Sequence, residues 1–418
     1  MIQELTTFIR QLALRFGLPD IDLPSHTSSQ ITEKDLTSDC LLVKSDNLLA
    51  LSMMAEGLCN KVEFCYIDPP YNTGGKFVYH DKRNSSLHPL WGRHGEWMSF
   101  MLPRLVLARH VLSENGVMAI SIDDYEYAQL KVLTDSIFTP ECHIATLVVR
   151  RSNNGKGSKL NVSVNHEYVL LYGKSNTAKL RGLLEDDDSK YDKSDEYGSY
   201  RIDGLFRKKG DASLKEERPS MHYPLYCAAD GRVYTEKVSA DLQEVLPQDS
   251  LGVQRRWLWG REKATAESWK LFASKGGVVY VKNYNREDKR VKIKSILDKL
   301  EYLTERATNE AKEIFGERIF ETPKPINLIQ DLIDCCSSEN AIILDFFAGT
   351  GTTAHAAYRL QGTSPTKRKT ILVEHKHLIK TDHAASQGGF LTTADITEHR
   401  LKALQQNDTA YSYAVIDI

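Results

Sequence analysis

Asp68-Pro69-Pro70-Tyr71, followed by Asn72-Thr73-Gly74, brings an acidic acceptor, a restricted carbonyl and an aromatic ring into four consecutive residues. That set suits an amino group attached to a flat ring. The Asp68 carboxylate and the Pro69 carbonyl can each accept one N–H of such an amine, while Tyr71 stacks on the ring. Two successive prolines restrict the backbone and keep the Pro69 carbonyl out of a strand ladder. Drawing both hydrogens out of the ring plane frees the nitrogen lone pair for in-line attack on a sulfonium methyl, and no metal is needed. Standing alone, the tetrapeptide would read as a Pro-rich turn after a strand.

A second segment gives it a partner. Asp345-Phe346-Phe347-Ala348-Gly349-Thr350-Gly351-Thr352-Thr353 follows a short apolar run. A buried strand that enters a glycine turn and opens a helix lets a small ligand approach backbone N–H groups. Glu374, 23 residues after Gly351, is placed to accept hydrogen bonds from ribose hydroxyls. The pattern Gly349-x-Gly351-x-x-Ala354 also fits a dinucleotide fingerprint, so an NAD-dependent enzyme is a rival reading. Hydride transfer, however, has no use for a carbonyl–carboxylate clamp on an amine. A phosphate-binding Walker loop is excluded because no Gly-Lys-Ser/Thr follows.

For the two segments to meet, each must end a strand of one sheet. Runs 41–44, 62–67, 117–122, 341–345 and 370–374 read as buried parallel strands. Stretches 100–112, 125–138, 326–335 and 351–360 carry helical spacing, and Gly116 reads as a stop before the strand at 117. Ile2, Leu5, Ile9, Leu12 and Phe16 predict an opening amphipathic helix packed on its own core or against a partner. This alternation implies an α/β sheet. From about residue 176 a charged, Gly- and Tyr-rich texture replaces it, as in an inserted domain. A helix is expected over 291–315, with Ile293, Leu297, Leu300, Ala307, Ala311 and Ile314 near one face. The expected organisation is an N-terminal helix in 1–30, a catalytic half of the core in 31–175, an insertion in 176–299 with a linker helix to 315, and a second half in 316–418.

Composition narrows the class. Hydrophobic residues at 41% and charged residues at 26% suit a globular chain, and no run of about 18 apolar residues marks a membrane span. With no signal-peptide pattern at the N-terminus, a cytoplasmic location is expected. The seven cysteines show no metal-ligand spacing, and adjacent Cys335 and Cys336 are ill placed to pair, so all are read as thiols. A net charge of −2 makes the whole chain no polyanion binder, yet within 251–299 positive residues exceed negative ones by about eight. Arg255 and Arg256 lie there among Trp257, Trp259, Trp269, Tyr280 and Tyr284, a mixture that suits nucleic acid or, equally, a solvated basic face. The acidic run 185–188 reads as an exposed loop.

In their order these motifs resemble those of β-class DNA amino-methyltransferases, and in detail the Mod subunits of type III restriction–modification systems. The resemblance covers residues 45–48, 66–82, 97–138, 165–174, 322–332 and 342–374. It implies a Rossmann-like, S-adenosyl-L-methionine-dependent methyltransferase core with circularly permuted motif order and an inserted target-recognition domain. Asp68, Pro69, Pro70 and Tyr71 would hold the target base, with Asp68 also bordering the cofactor. Asp345, Phe347, Ala348, Gly349, Thr350, Gly351 and Thr353 would floor the cofactor site, with Glu374 on the ribose and Asp46 and Asn47 near the adenine. Thr322, Lys324 and Pro325 would approach the methionine end. From the residues alone, Asp46 could equally cap the following helix and Lys324 be a surface charge. Glu374 is followed by His375, where the family pattern suggests an amide. His166 and Glu167 fall in a matching segment and are assigned a structural role, and 122–126 is expected near the base pocket.

The implied substrate is double-stranded DNA, whose base must leave its stack to be reached. Arg255, Arg256, Lys156 and Lys159 are the candidate DNA contacts. Asp at the first motif position favours N6 of adenine, since cytosine-N4 relatives more often carry Ser there. A cytosine-N4 enzyme and a catalytically silent DNA-binding subunit stay open as alternatives. The chain is shorter than typical Mod subunits and brief after Leu404, which speaks against a restriction-subunit partner and permits a stand-alone, phage-type or orphan enzyme; a homodimer and a restriction subunit are the partners considered.

Overall fold

A computed structural model of the chain describes residues 1–24, 30–74, 87–154, 161–184, 190–286, 289–361 and 367–418. The chain divides into two compact units, one of Met1–Leu183 with Lys292–Ile418, the other of Leu184–Val291. The insertion is thus narrower at both ends than the texture of the sequence suggests.

The larger unit is built on one sheet. Its strands are β1 (Cys40–Lys44), β2 (Val62–Ile67), β3 (Leu112–Ile122), β4 (His143–Arg150), β5 (His166–Gly173), β6 (Ile296–Leu297), β7 (Ile342–Asp345), β8 (Lys369–Glu374) and β9 (Tyr413–Asp417). Their order across the sheet is β6-β4-β5-β3-β2-β7-β8-β1-β9. All pairings are parallel except those of β5, which runs antiparallel to both β3 and β4. The unit's longer helices are α1 (Ile2–Phe16), α2 (Asn47–Gly57), α3 (Gly95–Val111), α4 (Tyr127–Phe138), α5 (Thr304–Phe315), α6 (Ile326–Cys336), α7 (Thr352–Gln361) and α8 (Thr393–Asn407), with a single turn at Ala384–Gln387.

Strand alternation sends side chains to two layers. Cys65 and Ile67 of β2 face the layer of α1 to α4, whereas Phe64 and Tyr66 face the layer of α6 and α7. Helix α8 packs on Cys40 and Leu42 of β1 and Leu372 of β8. Burying leucines such as Leu51, Leu102 and Leu332 contributes about 1.5–3 kcal/mol each, against about 0–1 kcal/mol for a solvated ion pair. Apolar layers therefore hold the sheet.

Two expectations change. Gly116 lies inside β3, where an added Cβ would stand 2.9 Å from both the Val62 and the Ser113 carbonyl oxygens, so the glycine permits a close approach where the β2–β3 register shifts. The helix expected over 291–315 is broken. The Ser295 carbonyl accepts from Val148 N at 2.8 Å, and β6 adds to the sheet edge beside β4. Helix α5 begins only at Thr304; Leu297 is buried while Leu300 is exposed, so the two do not share a face.

The smaller unit is antiparallel β. One sheet orders Leu271–Ala273, Val279–Tyr284, Gly198–Leu205 and Lys193–Asp195, and another places Leu225–Cys227 between Val233–Tyr234 and Gln243–Val245. Its core gathers Phe206, Tyr223, Trp257 and Leu271, with Trp259 packed against it. Part of the aromatic content of the basic segment thus goes to the interior of this unit: Trp257 stacks on Phe206 at 5.2 Å, and Tyr284 is buried, while Trp259, Trp269 and Tyr280 are half-buried.

Candidate active site

Parallel pairing brings the carboxyl ends of β2, β7, β8 and β1 side by side. The chain leaves β2 through α3 towards β3 and leaves β7 through α7 towards β8, so the connections diverge between β2 and β7. A crevice forms at such a point. Here it is a cavity of about 430 Å³ whose wall includes Asp46, Asn47, Asp68, Pro70, Phe100, Arg104, Thr322, Lys324, Asp345, Phe347, Ala348, Gly349, Thr350, Thr353 and Glu374. Asp68 and Gly349, far apart in sequence, share it. A smaller cavity of about 120 Å³ adjoins, lined by Pro69, Tyr71, Asp123, Arg151, Glu167 and Pro325, with Asp68 and Lys324 common to both. Pro325 and Gly351, expected at the cofactor, lie off the wall of the larger cavity. Gly351 instead backs onto α8, where a Cβ would stand 3.3 Å from Thr397 Cγ2.

The turn after β7 is fixed group by group. Gly349, at φ 52°, donates its N–H to Glu374 Oε2 at 2.8 Å and accepts from Thr397 Oγ1 at 2.6 Å. Asp345 Oδ1 accepts from Phe347 N at 3.0 Å, and its other oxygen accepts from the Thr353 hydroxyl. Burial raises the Asp345 and Glu374 carboxyls to about 7 each, against the lowering effect of these donors.

Asp46 does cap α2, accepting from Leu48 N at 2.8 Å, yet it also lines the cavity. Asn47 donates to the Phe346 carbonyl at 2.8 Å and accepts from Arg104 Nε at 2.6 Å. Arg104 is buried, and its guanidinium lies 3.7 Å from the centroid of the Phe100 ring. It ties α3 to the cavity floor, and the sequence reading missed it. The signal was there: a lone cation inside the apolar run Met101-Leu102-Pro103-Arg104-Leu105-Val106.

The Asp68 loop is equally constrained. The Pro70 carbonyl accepts from Trp97 Nε1 at 2.6 Å. Asn72 takes a left-handed φ of 58° that asparagine tolerates, and its buried amide donates to Glu126 Oε1 at 2.7 Å. Among the described residues the Pro69 carbonyl meets no donor. Tyr71 Oη donates to Asp68 Oδ1 at 2.7 Å. Lys324 is no surface charge: only 12% exposed, it lies 3.2 Å from Asp68 Oδ1 and 2.8 Å from Glu167 Oε1. Burial raises the Asp68 carboxyl above its ordinary range, and Lys324 partly offsets this. Glu167, assigned a structural role from sequence, stands in the site itself. Asp123 at the end of β3 lines the smaller cavity, its carboxyl raised to about 7 by burial.

The expected DNA contacts fare differently. Lys156 and Lys159, like the acidic run 185–188, fall outside the described residues. Arg256 is buried, donating to the Ala212 carbonyl at 2.6 Å and the Trp257 carbonyl at 3.2 Å, and Arg255 pairs with Asp249 at 2.9 Å. Both guanidinium groups are spent inside their own unit. Arg256→Ala is expected to destabilise that unit by about 2 kcal/mol in a melting experiment while leaving the salt dependence of DNA binding unchanged. A variant with wild-type melting and weakened DNA binding would return Arg256 to the interface.

Among the described residues no helix is long and apolar enough to cross a membrane, and no group of His, Cys, Asp and Glu is arranged to hold a metal ion. M.KpnI, a type II methyltransferase of Klebsiella pneumoniae, is 48% identical over 416 residues, covering 99% of this chain and 98% of that protein. The Mod subunit of the type III restriction-modification enzyme EcoPI of Escherichia phage P1 is 32% identical, covering 91% of this chain and 64% of that subunit. The EcoP15I Mod subunit of Escherichia coli is 30% identical, with 88% of this chain and 63% of that subunit covered. A family model for N6/N4 methyltransferases, described as DNA methylase, matches residues 62–380. With the Asp68 loop and the glycine turn on one cavity wall, and three-quarters of the sequence inside that model, the chain belongs to the DNA methylase family.

Proposed function

We propose that the protein transfers a methyl group from S-adenosyl-L-methionine to N6 of a flipped-out adenine in double-stranded DNA. The observation that carries this reading is the shared wall: Asp68 borders both the cavity beside the glycine turn and the smaller cavity beside Tyr71. The larger cavity suits the cofactor in charge and chemistry. Asp46, Asp345 and Glu374 outnumber the nearby cations, as a sulfonium ligand prefers, and Phe100 and Phe347, 6.0 Å apart and inclined at 57°, offer apolar aromatic faces. When bound, S-adenosyl-L-methionine supplies an electrophilic methyl carbon on sulfur.

The chain's own residues would do the rest. Asp68 and the Pro69 carbonyl accept the two N–H groups of the target amine and turn its lone pair out of the ring plane. Trp97 and Asn72 hold that backbone before any substrate arrives, so the loop itself needs little reorganisation. Asp68, raised by burial, is placed to take the proton that the nitrogen sheds as the new N–C bond forms. Tyr71 closes the base pocket. A carboxylate at this position supports adenine over cytosine. Near-complete alignment with a type II methyltransferase supports a modification enzyme of a restriction–modification system. The Leu184–Val291 unit would read the target sequence, with exposed cations such as Lys209, Lys215 and Arg218 on phosphates.

The test uses tritiated cofactor and duplex DNA, digested to nucleosides after reaction. Label in N6-methyldeoxyadenosine is expected. Label in N4-methyldeoxycytidine would move the reaction to the other base, and no label would leave a silent DNA-binding protein. Methylation-sensitive sequencing of DNA from expressing cells then locates the target sequence.

A further inference from the structure

Lys324 stands on the carboxylate that the target amine has to use. Its Nζ lies 3.2 Å from Asp68 Oδ1 and 2.7 Å from Tyr71 Oη, and 2.8 and 2.9 Å from the two Glu167 oxygens. An ammonium group and an exocyclic amine are alike in presenting several N–H donors on one nitrogen. Lys324 and the Tyr71 hydroxyl therefore both hold Asp68 Oδ1, the lysine in the manner of a substrate, and an entering amine competes with that ammonium for the carboxylate.

Glu167 determines what happens to the displaced cation. It is 7% exposed and offers both oxygens to Lys324, at shorter range than Asp68 does. It also comes from a different part of the sheet. Because β5 runs antiparallel, its beginning reaches the edge where the other strands end, so Glu167 approaches independently of the Asp68 loop. Of the other charged groups of this cavity, Arg151 also reaches Glu167, but at 3.9 Å to Oε2 against 2.8 and 2.9 Å for Lys324, and no ion pair joins Lys324 to Asp123 among the described residues. A buried cation stripped of every partner would be costly.

We infer that Glu167 is a positioning residue for methyl transfer, retaining the Lys324 ammonium so that the target amine can displace it from Asp68. The inference rests on the amine-methylation reading above and names a partner that reading does not require. With a neutral side chain at position 167, Lys324 has Asp68 as its sole carboxylate and competes directly with the substrate.

The experiment compares binding of two duplexes in the presence of S-adenosylhomocysteine, which prevents turnover. One carries adenine at the mapped target position, the other purine, the same ring without the amino group. The wild-type protein is expected to favour the adenine duplex by about tenfold or more, the worth of a hydrogen bond to a charged acceptor. Glu167→Gln is expected to lose most of that preference while holding the purine duplex and S-adenosylhomocysteine as wild type does. Glu167→Asp, which keeps the charge, is expected to retain it. A purely structural Glu167 would weaken both duplexes alike in Glu167→Gln, and that result, or an unchanged preference, overturns the inference. Failure of the underlying reading would show elsewhere, as wild-type protein that labels no amine in DNA.

Discussion

Replacement of Asp68 by alanine is expected to lower methyl transfer at saturating cofactor and DNA by about 10²- to 10³-fold, the range for losing one preorganised polar group at a reacting centre. The substitution removes the acceptor that turns the amine and the nearest sink for its proton. It leaves the loop in place, because Trp97 and Glu126 hold the neighbouring Pro70 and Asn72 rather than Asp68 itself. Cofactor affinity, measured by calorimetry, should therefore change far less than the single-turnover rate of label transfer. Asp68→Asn tests the same point more gently, keeping an acceptor oxygen but losing the charge. Transfer within tenfold of wild type in Asp68→Ala would remove the carboxylate from the mechanism.

Cofactor affinity should depend steeply on pH. Burial raises both Asp345 and Glu374 to about 7, so each is largely protonated at pH 6 in the free protein. A sulfonium ligand with ribose hydroxyls favours the ionised acids, so the complex binds fewer protons than the free protein. Binding then releases protons, and affinity rises with pH up to about 7 and levels off above it. The expected slope is about tenfold per pH unit below 7 for one linked group and steeper for two. Calorimetry in buffers of different ionisation heat reads the protons released, and Glu374→Gln should lower that number and flatten the profile. Affinity that is flat, or that rises towards acid, would mean the two carboxyls are not linked to the ligand.

The parts of this site that the sequence displays are those that follow a strand. Asp68, Asp345 to Gly349 and Glu374 each close a short apolar run, and parallel strands deliver such residues to one edge. Glu167 begins its strand instead. Nothing in Asn165-His166-Glu167-Tyr168 reveals that β5 runs against its neighbours, so the residue that holds Lys324 looked structural. Arg255 and Arg256 differ for another reason: composition counts charges without showing which are enclosed, and Trp257, one of the tryptophans that suggested stacking platforms, lies in the interior beside the buried Arg256. The misread helix before Thr304 shows the limit of periodicity, since apolar spacing cannot foresee that two residues will be drawn to a sheet edge.

The placement of β1 bears on how the protein is made. That strand pairs only with residues 369–374 and 413–417, so a ribosome that has already produced Asp68 must translate some three hundred further residues before β1 gains either neighbour. Until then the nascent chain carries an apolar strand with two open flanks, a species prone to aggregation. Slow pairing is the expected consequence of that separation, and so is a safeguard: an unfinished polypeptide has no glycine turn beside the acid.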